Sequence, residues 1–283
     1  MSTAKRSYLS GLLLAAAGAI AFSGKAIIVK LSYRYGVDAV TIIMLRMLFA
    51  LPFFIALGIW SERQTQAREN PLTRRDLLGI VALGFVGYYL SSYLDFLGLQ
   101  YITASLERLI LYLNPTLVVL LGWLIYKKPV QPIRMMAMAV SYAGVLVVFV
   151  HELTFTGADV ALGGALVFAS ALTYAVYLVF SGQLVQRIGA MRLVGWATSV
   201  ACVCCIVQFL VLRPLSAMDV PNPVLWLALL NAFACTVAPV LMVMMAIERI
   251  GAALAAQTGM IGPMATITLG VVVLDEPLNL WIG

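Results

Sequence analysis

Apolar runs of 20 to 26 residues follow one another along this chain with barely a polar gap between them. Few folds accept such a pattern. Lipid offers the backbone no hydrogen-bond partner, so each run of this length that enters a bilayer must close its own bonds as a helix. The runs fall near 8 to 32, 38 to 60, 76 to 98, 101 to 126, 131 to 150, 159 to 184, 192 to 212, 223 to 246 and 251 to 274. A tenth opens at Leu278 and ends with the sequence at Gly283. Composition agrees: 11% of the residues are charged and 63% hydrophobic, with a mean hydropathy of +1.02, against about a quarter and about half in a soluble domain. The expected fold class is all-α, a polytopic membrane protein of ten transmembrane helices, the tenth truncated.

The first run is longer than a signal-peptide core and shows no small-residue cleavage site before more polar sequence, which marks it as a retained helix. The four cysteines, Cys202, Cys204, Cys205 and Cys235, lie within apolar runs and read as small packing residues. A net charge of +6 does not make a nucleic-acid surface, because the basic residues sit in short connections and not along a soluble face.

Those basic residues report orientation instead. With the N-terminus inside, the cytoplasmic span ends hold Lys5, Arg6, Arg63, Arg68, Arg74, Arg75, Lys127, Lys128, Arg134, Arg187, Arg192 and Arg249, whereas the outer connections hold Arg34 and Arg213. Cytoplasmic connections carry the Lys/Arg excess, so a cytoplasmic N-terminus is expected.

A repeat is also legible. Laid on residue n + 148 without a gap, the stretch 99 to 130 pairs Ile102 with Ile250, Ala104 with Ala252, Leu106 with Leu254, Pro115 with Pro263, Leu121 with Leu269, Gly122 with Gly270 and Pro129 with Pro277. Five spans separate the copies, an odd number, so the second copy crosses the membrane the opposite way. The expected organisation is two inverted five-helix repeats, residues 1–150 and 159–283, an arrangement common in secondary transporters that bind substrate near the midplane. Gly283 pairs with Met135, so the counterpart of residues 136 to 150 is expected to be missing from the last helix.

Ten short spans in two inverted halves, each with a proline on its fourth span and a charged-Pro pair opening its fifth (Lys127-Lys128-Pro129, Asp275-Glu276-Pro277), resemble the EamA-type branch of the drug/metabolite transporter superfamily. In that branch the fourth span typically ends in Gly-Glu-Pro; the second copy has Asp in place of Gly, and the first departs further. The resemblance covers nearly the whole chain and identifies a superfamily, not a substrate. It implies a bacterial inner-membrane exporter of small metabolites. Chain length, the tyrosine-rich third span and the aromatic pair early in the sixth resemble most the YddG-type carriers of aromatic and other largely apolar amino acids.

Charges within spans come first among candidate functional residues, because each is costly in hydrocarbon and faces a partner or a cavity. Lys25, Arg46, Asp95, Glu107 and Arg108 lie on the first four spans, all toward the outer side. Two readings stay open: an ion-pair network bracing or gating that side, or a site where Arg46 or Arg108 binds a substrate carboxylate or Glu107 carries a coupled proton.

Polar and aromatic groups at helical spacing suggest a substrate cavity. On the third span, GYYLSSYLDF groups Tyr89, Ser92 and Tyr93; on the fourth, Ser105, Arg108 and Tyr112 fall at i, i+3 and i+7; on the sixth, Tyr174 and Tyr177 share a stripe; on the ninth, Gln257 interrupts an apolar segment. Cavity lining and plain interhelical packing both fit the deep tyrosines. Pro115, Pro239 and Pro263 remove backbone donors inside spans and are candidate hinges. His151, at a span end beside Glu152, reads as a surface residue.

The expected activity is export of aromatic and other largely apolar amino acids and related metabolites by alternating access, with a multidrug or organic-anion carrier as the alternative. No cofactor, metal site or nucleotide-binding loop is expected, nor an enzyme. The expected partners are a small-molecule substrate and the lipid bilayer, with the chain working as a monomer.

Overall fold

The computed structural model describes residues 3–64, 70–127 and 158–275, with isolated positions at 136, 139, 140 and 143. The expected fifth and tenth spans, Pro129, Pro277 and His151 lie outside the described residues. Among the described residues all regular structure is helical.

Helix α1 spans Thr3–Tyr33 and α2 Ala39–Glu62. Helix α3 runs from Arg74–Leu83 through a π-helical stretch, Gly84–Leu90, into Ser91–Gly98. Helices α4 (Ala104–Leu111) and α5 (Asn114–Tyr126) together occupy the fourth apolar run. Then come α6 (Ala158–Ile188), α7 (Ala190–Leu212), and α8, which joins Asn222–Ala232 to Ala238–Ile250 through the π-helical stretch Phe233–Val237. Last, α9 (Ala252–Thr258) and α10 (Gly262–Leu274) are separated by a 3-10 turn at Gly259–Ile261. Seven of these continuous segments are long and apolar enough to cross a membrane.

Polar residues between the runs start the helices, since the first N–H groups of a helix need outside acceptors. The Asp38 carboxylate accepts from the Val40 and Thr41 amides ahead of α2, Thr73 and Asp76 form a reciprocal capping box ahead of α3, and the Thr103 hydroxyl accepts from the Leu106 amide ahead of α4.

Backbone irregularities recur at the 148-residue spacing of the sequence repeat. The π stretch 84–90 has its counterpart at 233–237, and the break between α4 and α5 corresponds to the turn between α9 and α10. Both α5 and α10 carry proline in their first turn, and both stop at a left-handed residue, Lys127 (φ 50°) and Asp275 (φ 58°). Pro115, Pro239 and Pro263 thus each open a helix directly after an irregular stretch, where a missing N–H costs least.

Helices from the two ends of the chain interleave: α1 packs along α8 and α10, α2 along α7, and α6 against α3, α4 and α5. Small residues permit the close crossings, the usual device where lipid supplies no hydrophobic drive between helices. A Cβ on Gly195 would stand 2.6 Å from the Gly58 backbone nitrogen, and one on Gly84 2.3 Å from the Ala197 carbonyl oxygen. The face where α1 begins is called proximal below; the face where it ends, distal.

Candidate functional site

Where the broken helices meet α1, α3 and α6, a cavity of about 180 Å³ opens in the middle of the bundle. Its wall is built from small and aromatic groups of both ends of the chain. Ala15, Ala19 and Phe22 come from α1, Tyr88, Ser91 and Ser92 from α3, Tyr112, Asn114 and Pro115 from the α4–α5 break, and Tyr174 and Leu178 from α6. Thr236, from the π stretch of α8, and Ala255, Ala256, Gly259 and Gly262, around the α9–α10 turn, complete it. The helix breaks put backbone groups at the cavity instead of in lipid, the one place at membrane depth where irregular backbone is tolerated. The Asn114 side-chain oxygen has no hydrogen-bond partner among the described residues.

The distal part of this wall is charged. Lys25 pairs with Asp95 and lies 3.7 Å from a Glu107 oxygen, while Arg108 Nε lies 2.9 Å from the other. Arg108 also donates to the Phe22 carbonyl at 3.3 Å. Arg46 stays apart: its guanidinium lies 4.6 Å over the Phe96 ring, and Nε and Nη2 have no hydrogen-bond partner among the described residues. Among the described residues, Lys25, Asp95, Glu107 and Arg108 are thus paired with one another, and Arg46 is paired with none of them.

A family model of EamA-like transporters matches residues 9–150 and again 161–282. The chain belongs to the EamA-like transporter family. It is 28% identical over 287 residues to an uncharacterized transporter, YcbK, of Bacillus subtilis (strain 168), a match covering 97% of this chain and 88% of that one. A solved crystal structure shares its fold with a TM-score of 0.67 at 17% identity, over 97% of this chain and 91% of the other. The protein is thus a multi-pass membrane transporter of the drug/metabolite transporter superfamily.

Of the candidate cavity residues, this EamA-like transporter places Ser92, Arg108, Tyr112 and Tyr174 in the cavity wall. Tyr89, Tyr93, Ser105, Tyr177 and Gln257 fall outside it. The lining stripe of α3 is Tyr88, Ser91, Ser92 and Asp95, spaced i, i+3, i+4 and i+7, so Tyr89 lies on the adjacent face, its ring 5.1 Å from Phe85. Tyr177 sits one layer behind, fully buried, with its ring 4.9 Å from Tyr88 and its hydroxyl 3.3 Å from the Met244 sulfur. Stacked on Tyr174 as well, it supports the wall.

Two further contacts join the ends of the chain and lack a local sequence signal. At mid-depth Ser170 Oγ donates to the Ser91 carbonyl at 2.8 Å, and the two hydroxyls lie 3.1 Å apart. At the proximal face Arg192 grips the Glu62 carboxylate through Nε (2.7 Å) and Nη2, and donates to the Asn70 carbonyl at 2.7 Å, while the Trp196 indole N–H reaches the same carboxylate at 3.0 Å. Asp76 and Arg187 pair nearby at 3.0 Å, and Arg249 donates to Ser10 at 3.2 Å. In the sequence, Arg187, Arg192 and Arg249 register only as part of the Lys/Arg excess.

Proposed function

We propose that this EamA-like transporter exports aromatic and other largely apolar amino acids, and related small metabolites, from the bacterial cytoplasm. The observation that carries this reading is the cavity: an aromatic and hydroxyl-bearing wall, contributed by helices from both ends of the chain, around about 180 Å³. An apolar cavity of about 150 Å³ holds benzene, so this one suits an aromatic or branched side chain.

Transport proceeds by alternating access between two inverted five-helix halves, 1–150 and 159–283, with ten helices in all. The irregularities recurring 148 residues apart support that arrangement. Pro115, Pro239 and Pro263, at the cavity or at helix irregularities, serve as hinges. The protein works as a monomer in the bacterial inner membrane, and the Lys/Arg excess at the proximal span ends supports a cytoplasmic N-terminus and proximal face. The cross-chain ties at Glu62–Arg192 and Asp76–Arg187 then close the cytoplasmic side, and the Lys25–Asp95–Glu107–Arg108 network braces the outer side.

Counterflow in proteoliposomes with labelled phenylalanine, threonine and a nucleotide sugar tests the substrate class. Exchange of the amino acids is expected; exchange of the nucleotide sugar alone would sink the proposal. A second reading, an organic-anion carrier, is favoured by one observation, the Arg46 guanidinium, which lines the cavity and makes no ion pair among the described residues.

A further inference from the structure

Two arginines of α2 and α7 make an instructive pair. Arg192 binds the Glu62 carboxylate through Nε and Nη2, the edge of a guanidinium that matches a carboxylate bidentately. The same two atoms of Arg46 are buried and have no hydrogen-bond partner among the described residues. Arg46 is only 3% exposed, and no carboxylate among the described residues comes within ion-pairing distance of it. Asp95, which lines the same cavity, is already paired with Lys25.

Charge counting points the same way. Among the described residues, Lys25, Arg46 and Arg108 bring three positive charges to the cavity's charged wall and Asp95 and Glu107 at most two negative ones, so one cation is left over, and the geometry makes it Arg46. A lone buried guanidinium in a membrane protein is costly unless a partner arrives, and Arg46 lines the central cavity, where a partner can reach it.

We propose that Arg46 is the anion receptor of the cavity, binding one carboxylate of the transported molecule through its guanidinium while its apolar remainder lies toward Phe22, Tyr112 and Tyr174. The substrate class is a monocarboxylate with an aromatic or aliphatic body. A phosphorylated metabolite is disfavoured, because the cations that would share its second charge, Lys25 and Arg108, are already engaged. The inference rests on the transport reading above and deepens it, since the carboxylate can belong to an amino acid or to a simple organic acid.

The test is thermal unfolding of the purified, detergent-solubilised full chain with three probes: phenylalanine, 3-phenylpropanoate (carboxylate without amine) and phenylalaninamide (amine without carboxylate). A carboxylate that binds the native state raises the Tm. The expected result is stabilisation by the carboxylate-bearing probes, none by phenylalaninamide, and at least tenfold weaker carboxylate binding in Arg46→Gln than in Arg46→Lys or the wild type. Equal stabilisation by phenylalaninamide, no stabilisation by either carboxylate, or undiminished binding in a folded Arg46→Gln variant would each overturn the proposal. Where Arg46→Gln fails to fold, the three probes on the wild type decide alone. Stabilisation by 3-phenylpropanoate without phenylalanine upholds the carboxylate receptor and removes amino-acid export.

Discussion

The tie between Glu62 and Arg192 should behave as one coupled unit. Glu62→Gln keeps the side-chain length and one oxygen acceptor but removes the charge that Arg192, whose side chain is 5% exposed, relies on. Breaking a buried ion pair by removing one partner costs about 3–5 kcal/mol; Glu62 is 33% exposed, so water recovers part of this and about 2–3 kcal/mol is expected. For a chain of this size each kcal/mol shifts the Tm by roughly 2–4 °C, so each single variant should lose several degrees. The assay is a double-mutant cycle with Glu62→Gln, Arg192→Gln and the double variant, read by thermal unfolding. The double variant should lose little more than either single one, giving a coupling energy of about 2 kcal/mol. Additive losses, with coupling below about 0.5 kcal/mol, would refute the claim that the pair holds the two ends of the chain together.

Further outcomes follow from the same geometry. Gly195→Ala should destabilise by about 1–3 kcal/mol, because the new methyl group meets the α2 backbone at Gly58, measured by thermal unfolding. The Asp38 carboxyl is held below its ordinary range: burial pushes it up, but the Thr41 hydroxyl and Arg213, 3.3 Å away, outweigh this. The lowered group contributes stability above its ordinary pKa of about 4 and loses it as the pH falls through the lowered value. Arg213→Gln should therefore lower the Tm at neutral pH, and the gap to the wild type should close in acid. Glu107→Gln removes the partner of Arg108 and should lower the Tm while leaving the pH dependence of transport unchanged; a lost pH dependence would give Glu107 a coupled proton instead of a bracing role.

The helices were legible because hydropathy is a local property. Arg74–Gly98, Ala190–Leu212 and Asn222–Ile250 occupy the apolar runs expected for them within a few residues. The paired prolines marked the two breaks, since Pro115 and Pro263 each open the helix after one. What sits inside the bundle was less legible. The stripe of α3 that faces the cavity begins at Tyr88 and not Tyr89 because helix rotation is set by tertiary packing, here Gly87 against the Tyr177 ring. Neither the Glu62–Arg192 tie, across 130 positions, nor the solitude of Arg46 has a sequence signature, for both depend on which helices become neighbours.

The most direct test of the central claim, that substrate passes through this cavity, is to fill it. Ser92, on the cavity wall, is changed to cysteine in a chain whose four native cysteines are replaced by alanine, and a bulky maleimide is attached in proteoliposomes. Phenylalanine should slow the labelling, and counterflow of phenylalanine should stop once Ser92→Cys is fully modified. Full modification with undiminished counterflow would contradict the account.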